Sequence, residues 1–489
     1  MRMSDQCGAD RHASAGWIGV SLLMVFALGA CGHLGHRHRP AWEQPPPAIE
    51  PAPVVAPGAL HRARLENGLT VLVLEDHRLP RVSLNLTVRR GAGAVPPAQA
   101  GLAAFMAELM NRGAGERDAL ELARSVDDLG AGLAVVAGWD ATDVAVGGLS
   151  SDLEALFGIL RDVVRSPRFD PSEAKKTRDQ QLAGLAATRD DPSSLARQTT
   201  MKVLYPKHRY GRPLSGTPDA VAAFEAKDAR ALHARYFVPG NAILSVVGDV
   251  RTKEVVRQAR AAFGEWPEGE IPAETPKPPV VTPVKRRVVI ADSPDLVQSR
   301  ILIGQEGISR TSPLRLPANL LNSTLGGSGF SSRMMKNLRS DAGLTYGVRS
   351  GFSLRRRAGP FLVSTFTRVP ETRRAVNLLL ADLEAIRGPQ PQTAEELAKA
   401  KSYTVGQFGL GLETSEAVMS ALVDLSVFGL PDDSLDTFRA RVEAVDLEQT
   451  AQAARELLHP GRAAIVILGP ADTLRSQLNG LGDVEVVDP

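Results

Sequence analysis

The chain has 489 residues, 43% of them hydrophobic and 23% charged, with 57 basic residues set against 55 acidic ones. Such a composition folds, and the length suggests about three domains. The formal net charge of +2, with no long basic block in the part read as folded, argues against a nucleic-acid surface.

At the N-terminus, Arg2 and Arg11 precede "GWIGVSLLMVFALGAC", residues 16–31. The apolar run from about Trp17 to Leu28 is too short to cross a hydrocarbon layer of roughly 30 Å as a helix. A basic stretch followed by a short apolar core reads as a secretory signal. Its end, Leu28-Gly29-Ala30-Cys31, resembles the lipobox of bacterial lipoproteins, which implies that Cys31 is lipidated and becomes the mature N-terminus. An uncleaved anchor is the competing reading. Acyl chains would hold the protein on a membrane, each buried CH₂ contributing about 0.8 kcal/mol. The expected location is therefore the periplasm. Gly32 is not the Asp that signals inner-membrane retention, so the outer membrane is expected. Cys7 would leave with the signal, so the folded part contains no thiol.

Residues 32–59 form a Pro-rich tether that cannot build a core. His33, His36 and His38 within it read as a solvated tuft or as metal ligands. From Leu65 onward "NGLTVLVLEDHRLPRVSLNLTVRRGAG" predicts an Asn-Gly turn, a strand over about 69–75, a turn at Pro80 and a strand over about 82–89. Helical periodicity follows over about 99–112, 116–128, 151–165, 171–188 and 193–203, with a strand pair over about 131–149.

"LHARYFVPGNAILSVVGDV" (232–250) predicts a helix end, a Pro-Gly turn and a buried strand, and "AARELLHPGRAAIVILGPA" (453–471) repeats that grammar. Pro239 matches Pro460 and Gly248 matches Gly469, both at an offset of 221, which indicates two copies of one domain. The copies are expected over 60–268 and 286–486, joined by a Pro-rich linker at 269–285. The second copy opens with strands at about 287–292 and 298–307, then a helix near 313–325 and a Gly-rich turn into another helix. The expected fold class is α+β: two homologous domains, each a mostly antiparallel sheet with helices on one face, forming a clam-shell.

The motifs "GLAAFMAELMNRGAG", "HRYGRPLSGTPDAV" and "ARYFVPGNAILSVVGDV", with the strands after Asn67, resemble the N-terminal half of the insulinase and pitrilysin-type zinc metallopeptidases, the family of the mitochondrial processing peptidase. Active members carry His-x-x-Glu-His on the helix after "GLA". Two His one turn apart converge on one zinc ion, and the Glu between them activates its water. Here those positions hold Ala104, Ala107 and Glu108. The family's third ligand, a Glu on a later helix, falls near Ala183 and Gly184, with no acidic residue between Asp179 and Asp190. His61, His77, His208, His233 and His459 have no ligand-like partner at i+4. Glu108 therefore reads as a solvated or salt-bridged helix residue, and no zinc or other cofactor is expected in this chain.

"GGSGFSSRMMKNLRSDAGLTYGVRSGF" (326–352) resembles the family segment that reaches over the zinc site from the C-terminal half. Arg339 and Tyr346, seven residues apart, match its Arg/Tyr pair. The resemblance implies that they bind substrate backbone and stabilise the oxyanion. The alternative reading is a helix-end Arg interacting with the helix dipole and a packing Tyr at a strand start. Gly343 is expected to cap the helix, leaving Arg339 in its last turn and Tyr346 opening the next strand. The "GGSG" turn lacks the Gly-Lys-Ser/Thr ending of a phosphate loop, and Ser328, Ser331 and Ser332 lack a nucleophile-elbow context.

One copy without ligands and another with an Arg/Tyr pair resemble the heteromeric bacterial members of the family. There one subunit holds zinc and its partner supplies the Arg/Tyr pair. The implied role is the non-zinc-binding subunit of a peptidase, acting on peptides at a partner's zinc and inactive alone. A catalytically inert peptide-binding or scaffold lipoprotein of the same fold is the competing expectation.

Overall fold

A computed structural model describes residues 53–56, 58–271, 273 and 285–488. The signal, Cys31, the three tether histidines and most of the Pro-rich linker lie outside the described residues. Among those described, no helix is long and apolar enough to cross a membrane.

Two six-stranded sheets organise the chain. The first holds β1 (Leu60–Arg64), β2 (Thr70–Glu75), β3 (Arg81–Val88), β4 (Gly132–Ala137), β5 (Thr142–Leu149) and β6 (Ala242–Gly248), in the order β1-β2-β6-β3-β5-β4. The second holds β7 (Arg287–Asp292), β8 (Gln298–Glu306), β9 (Val348–Phe352), β10 (Pro360–Arg368), β11 (Ala464–Gly469) and β12 (Asp483–Val487), in the order β12-β7-β11-β8-β10-β9. Five strands correspond position by position. The sixth does not: β1 pairs antiparallel with β2, whereas β12 comes from the chain's end and pairs parallel with β7. Both sheets are mostly antiparallel, with helices added, so the fold class is α+β. The repeated Pro-Gly turns, Pro239–Asn241 and Pro460–Arg462, lead into the equivalent central strands β6 and β11.

Helices of each half cover one face of that half's sheet. Val71, Val73, Leu84, Leu86, Leu244 and Val246 pack beneath the helices Leu102–Met110, Leu153–Arg165 and Thr252–Phe263. The opposite face is covered from the other half. Leu72, Leu74, Ile243 and Val247 pack against Val418, Met419, Leu422 and Val423 of the helix Ser415–Phe428. Reciprocally, Ala196, Met201 and Leu204 of the helix Pro192–Leu204 lie on Ala291, Leu302, Leu362, Ala464 and Leu468 of the second sheet. This exchange explains why "AILSVVG" and "AIVILG" are buried along their whole length: neither strand has a solvent face. Each such buried aliphatic side chain contributes about 1.5–3 kcal/mol.

A cationic clasp joins the halves elsewhere. The Arg355 guanidinium, on the loop before β10, lies 4.2 Å from the Trp139 ring centroid and 4.3 Å from that of Tyr210. Arg209 stacks on the same Trp139 at 5.0 Å, and burial pushes its pKa down to about 10. The last residues of the stretch expected to be a free tether are docked instead. Val54 and Val55 pack beside the Ser415–Phe428 helix, and the Val54 N–H donates to Asp436 at 2.7 Å.

Candidate functional site

The helix expected over 99–112 starts at Leu102, because Gly101 adopts a left-handed conformation at φ +99°. A side chain there would place its Cβ 2.7 Å from the Ser215 carbonyl oxygen and 2.8 Å from Cα of Gly216. Gly216, at φ +92°, has the reciprocal constraint: its Cβ would stand 2.3 Å from the Ala100 oxygen. The "GLA" and "LSGTP" motifs are thus one backbone-to-backbone contact, bridged by Gln181, whose amide donates to the oxygens of Gly101 (3.2 Å) and Ser215 (2.7 Å).

On this helix Ala107 is buried, Ala104 is half-buried and Glu108 is 48% exposed. Arg112, one turn on, donates to the Glu108 carboxylate at 2.6 Å and to the Gln180 side-chain oxygen at 3.2 Å. Gln180 belongs to the helix Pro171–Arg189, which also carries the exposed Ala183 and Gly184. A guanidinium therefore bridges the two helices from which ligands would have to converge. Two methyl groups and a carboxylate already paired with a cation do not fit a zinc ion. Among the described residues no group of three His, Cys, Asp or Glu side chains could hold a metal ion. His233 is engaged elsewhere, with Nε2 2.8 Å from the Val164 oxygen and its ring 4.4 Å from Phe237, and burial pushes its pKa down to about 4.

In the second half, the helix Arg315–Asn322 widens into a π-helical turn at Ser323–Gly327, which runs two residues into the Gly-rich turn expected at 326–329. A second π turn, Met335–Asp341, carries Arg339 in its last turn. Such widened turns occur frequently at functional sites. Gly343 follows at φ +63°. The segment is pinned on its inner side. Arg333 forms a two-pronged pair with Glu396 (2.7 and 2.6 Å), and Asn337 donates to Asp382 at 2.5 Å. Burial raises the Asp382 pKa.

Tyr346 does not open a strand. It sits in a bend, and β9 begins only at Val348. Hydroxyls fix that bend instead: Thr365 donates to the Gly347 oxygen at 2.8 Å and Thr367 to the Leu344 oxygen at 2.8 Å. The structure brings Arg339 and Tyr346 into direct contact. Arg339 Nη1 donates to the Tyr346 backbone oxygen at 2.9 Å, and the guanidinium stacks 4.2 Å from the phenol ring. Phe330 flanks the guanidinium at 4.6 Å, a third member that sequence reasoning missed. The signal was one aromatic residue amid glycines and serines in "GGSGFSS". Tyr346 is 75% exposed and Phe330 72% exposed, so two rings hold an arginine at the surface. Among the described residues no hydrogen bond, ion pair or ring contact links this group to the Glu108–Arg112 pair.

Two repeated sheets, a helix in the zinc-motif position without its ligands, and an exposed Arg–Tyr pair in the second half define a metallopeptidase-like chain. Residues 70–218 match the family model for insulinase (peptidase family M16), and residues 223–403 match that for the peptidase M16 inactive domain. The chain belongs to the insulinase, or M16, family. An uncharacterized zinc protease of Streptomyces coelicolor is 25% identical over 418 residues, spanning 84% of this chain and 90% of that protein. The crystal structure of a peptidase M16 inactive domain from Pseudomonas fluorescens is similar with a TM-score of 0.76 at 26% identity, covering 84% of this chain and 98% of that one. The periplasmic protease PqqL of Escherichia coli shares the fold at a TM-score of 0.70 and 17% identity, covering 86% of this chain and 48% of that one.

Proposed function

We propose that this chain is the zinc-less subunit of a heteromeric M16 peptidase, held by a lipid on Cys31 at the periplasmic face of the outer membrane. Arg339 and Tyr346 act in trans on peptides bound at the zinc of a partner subunit, which supplies the activated water. The observation that carries this reading is the contrast between the two halves. The zinc-motif helix offers two methyl groups and a paired carboxylate, whereas the second half presents a guanidinium and a phenol at the surface.

Both groups suit a peptide carbonyl that gains negative charge. Directed donors aimed at a developing oxyanion are typically worth about 3 kcal/mol each. Tyr346 lies two residues before β9, the edge strand of its sheet, so a peptide added to that edge would run past the pair. The inert scaffold reading draws on one observation: Arg339 already donates to the Tyr346 oxygen within the chain. A mixing experiment separates the two. The purified chain alone should bind no stoichiometric zinc and leave casein intact, and adding a family member with His-x-x-Glu-His should produce cleavage. Arg339→Ala and Tyr346→Phe should each lower that turnover about a hundredfold without preventing assembly. Unchanged turnover would favour the scaffold.

A further inference from the structure

A cavity of about 390 Å³ lies in the second half among the helices Arg315–Asn322, Ala394–Leu410, Ser415–Phe428 and Phe438–Glu443. That is within the roughly 300–1,000 Å³ range of small-molecule sites. Its walls are mainly apolar, including Leu316, Leu425 and a stacked pair of rings, Phe408 and Phe438, with centroids 4.2 Å apart. None of the zinc-motif or Arg339-group residues described above lines it.

Its polar lining is unbalanced. Arg310 pairs with Asp424 at 2.9 Å, and Asp424 is the one carboxylate among the lining residues. Arg315 also lines the cavity, half-buried, and among the described residues its guanidinium makes no hydrogen bond or ion pair. Burial first, then the charges of Arg310 and Arg441, hold its pKa below the usual arginine value. Ser434 lines the same cavity at 5% exposure, and its hydroxyl has no hydrogen-bond partner. A buried hydroxyl without a partner and a desolvated cation without an anion both cost free energy, and one ligand could remove both costs.

We propose that this cavity binds a small amphipathic carboxylate, its head on Arg315 and Ser434 and its apolar body against the Phe408–Phe438 wall. Two sources share that chemistry: a medium-chain fatty acid and the C-terminus of a short hydrophobic peptide. The site is independent of the peptidase reading, and either can fail alone.

Titration calorimetry of the full chain tests it, with octanoate, a capped leucine-phenylalanine dipeptide acid, octan-1-ol and sulfate as probes. At least one carboxylate should bind saturably at one site, and the tighter one identifies the source. Octan-1-ol should bind at least about tenfold more weakly, as the loss of one charge-assisted contact predicts. Sulfate should not compete. Arg315→Met should weaken the carboxylate about tenfold while leaving the melting temperature equal or higher, because it removes an uncompensated cation. Should that variant fail to fold, Ser434→Ala, which leaves the cation in place, should weaken binding several-fold. Equal affinity for octanoate and octan-1-ol, equal affinity of both variants and the parent chain, or sulfate binding as tightly as either acid would each overturn the proposal.

Discussion

The Leu102–Met110 helix, which carries the zinc-motif positions, and the Met335–Asp341 turn, which carries Arg339, are built differently. The first is held from outside the reacting positions, by the interlocked Gly101 and Gly216 and by Gln181 spanning two backbone oxygens. Nothing in that anchorage depends on which side chains occupy positions 104, 107 and 108. The second is held from within, by Arg333–Glu396 and Asn337–Asp382 below and by the threonine hydroxyls beneath the Tyr346 bend. That support leaves Arg339, Phe330 and Tyr346 at the surface. The anchorage is thus separate from positions 104, 107 and 108 in the first half and continuous with the Arg339 group in the second.

Substitutions can break or sharpen this comparison. The largest effect on stability should come from Gly216→Ala. A methyl group at φ +92°, facing the Ala100 oxygen, should cost about 3 kcal/mol or more in urea unfolding. Close behind is the acid sensitivity of His233, on the helix Ala226–Tyr236 of the same half. Its folded pKa of about 4 lies below the ordinary 6.5. The unfolded chain therefore takes up the proton first as pH falls, and the stability present above pH 6.5 is lost on the way down towards pH 4. The wild type should lose on the order of 3 kcal/mol more than His233→Phe between pH 7.5 and 4, read from paired melts. Smaller still, Phe330→Ala removes one face of the Arg339 stack, worth about 1 kcal/mol, and should lower turnover of the mixed complex about fivefold. Arg112→Met should change stability by less than about 1 kcal/mol, as for any partly exposed ion pair, and leave that turnover untouched. A large loss of turnover from Arg112→Met would dissolve the contrast between the halves.

Much of this architecture was legible before the structure. The offset of 221 between Pro239 and Pro460 identified a repeat, and the repeat places β6 and β11 at equivalent positions. The alternation after Asn67 located β2 and β3 to within a residue or so. Two of the edge strands, β1 and β12, were not legible. "LHRAR" and "DVEVV" carry charges and are largely solvated, and they become strands only because β2 and β7 offer free edges. The exchanged helices were equally hidden, since periodicity shows that a helix has an apolar face but not which sheet receives it. At the site, Ala104, Ala107 and Glu108 could be placed on one helix from the sequence, and the structure has them on Leu102–Met110. The third member of the Arg339 group could not be read, because the stacking of Phe330 depends on two π-helical turns that no local pattern announces.

The most direct test of the account is the turnover of the mixed complex with Tyr346→Phe. This change deletes one hydroxyl and leaves the ring on Arg339 in place. Paired with a zinc-bearing family member, the variant should assemble with parental affinity and cleave casein about a hundredfold more slowly, the loss expected of one oxyanion donor. Parental turnover in an intact complex would contradict the claim that this chain supplies donors to its partner's reaction.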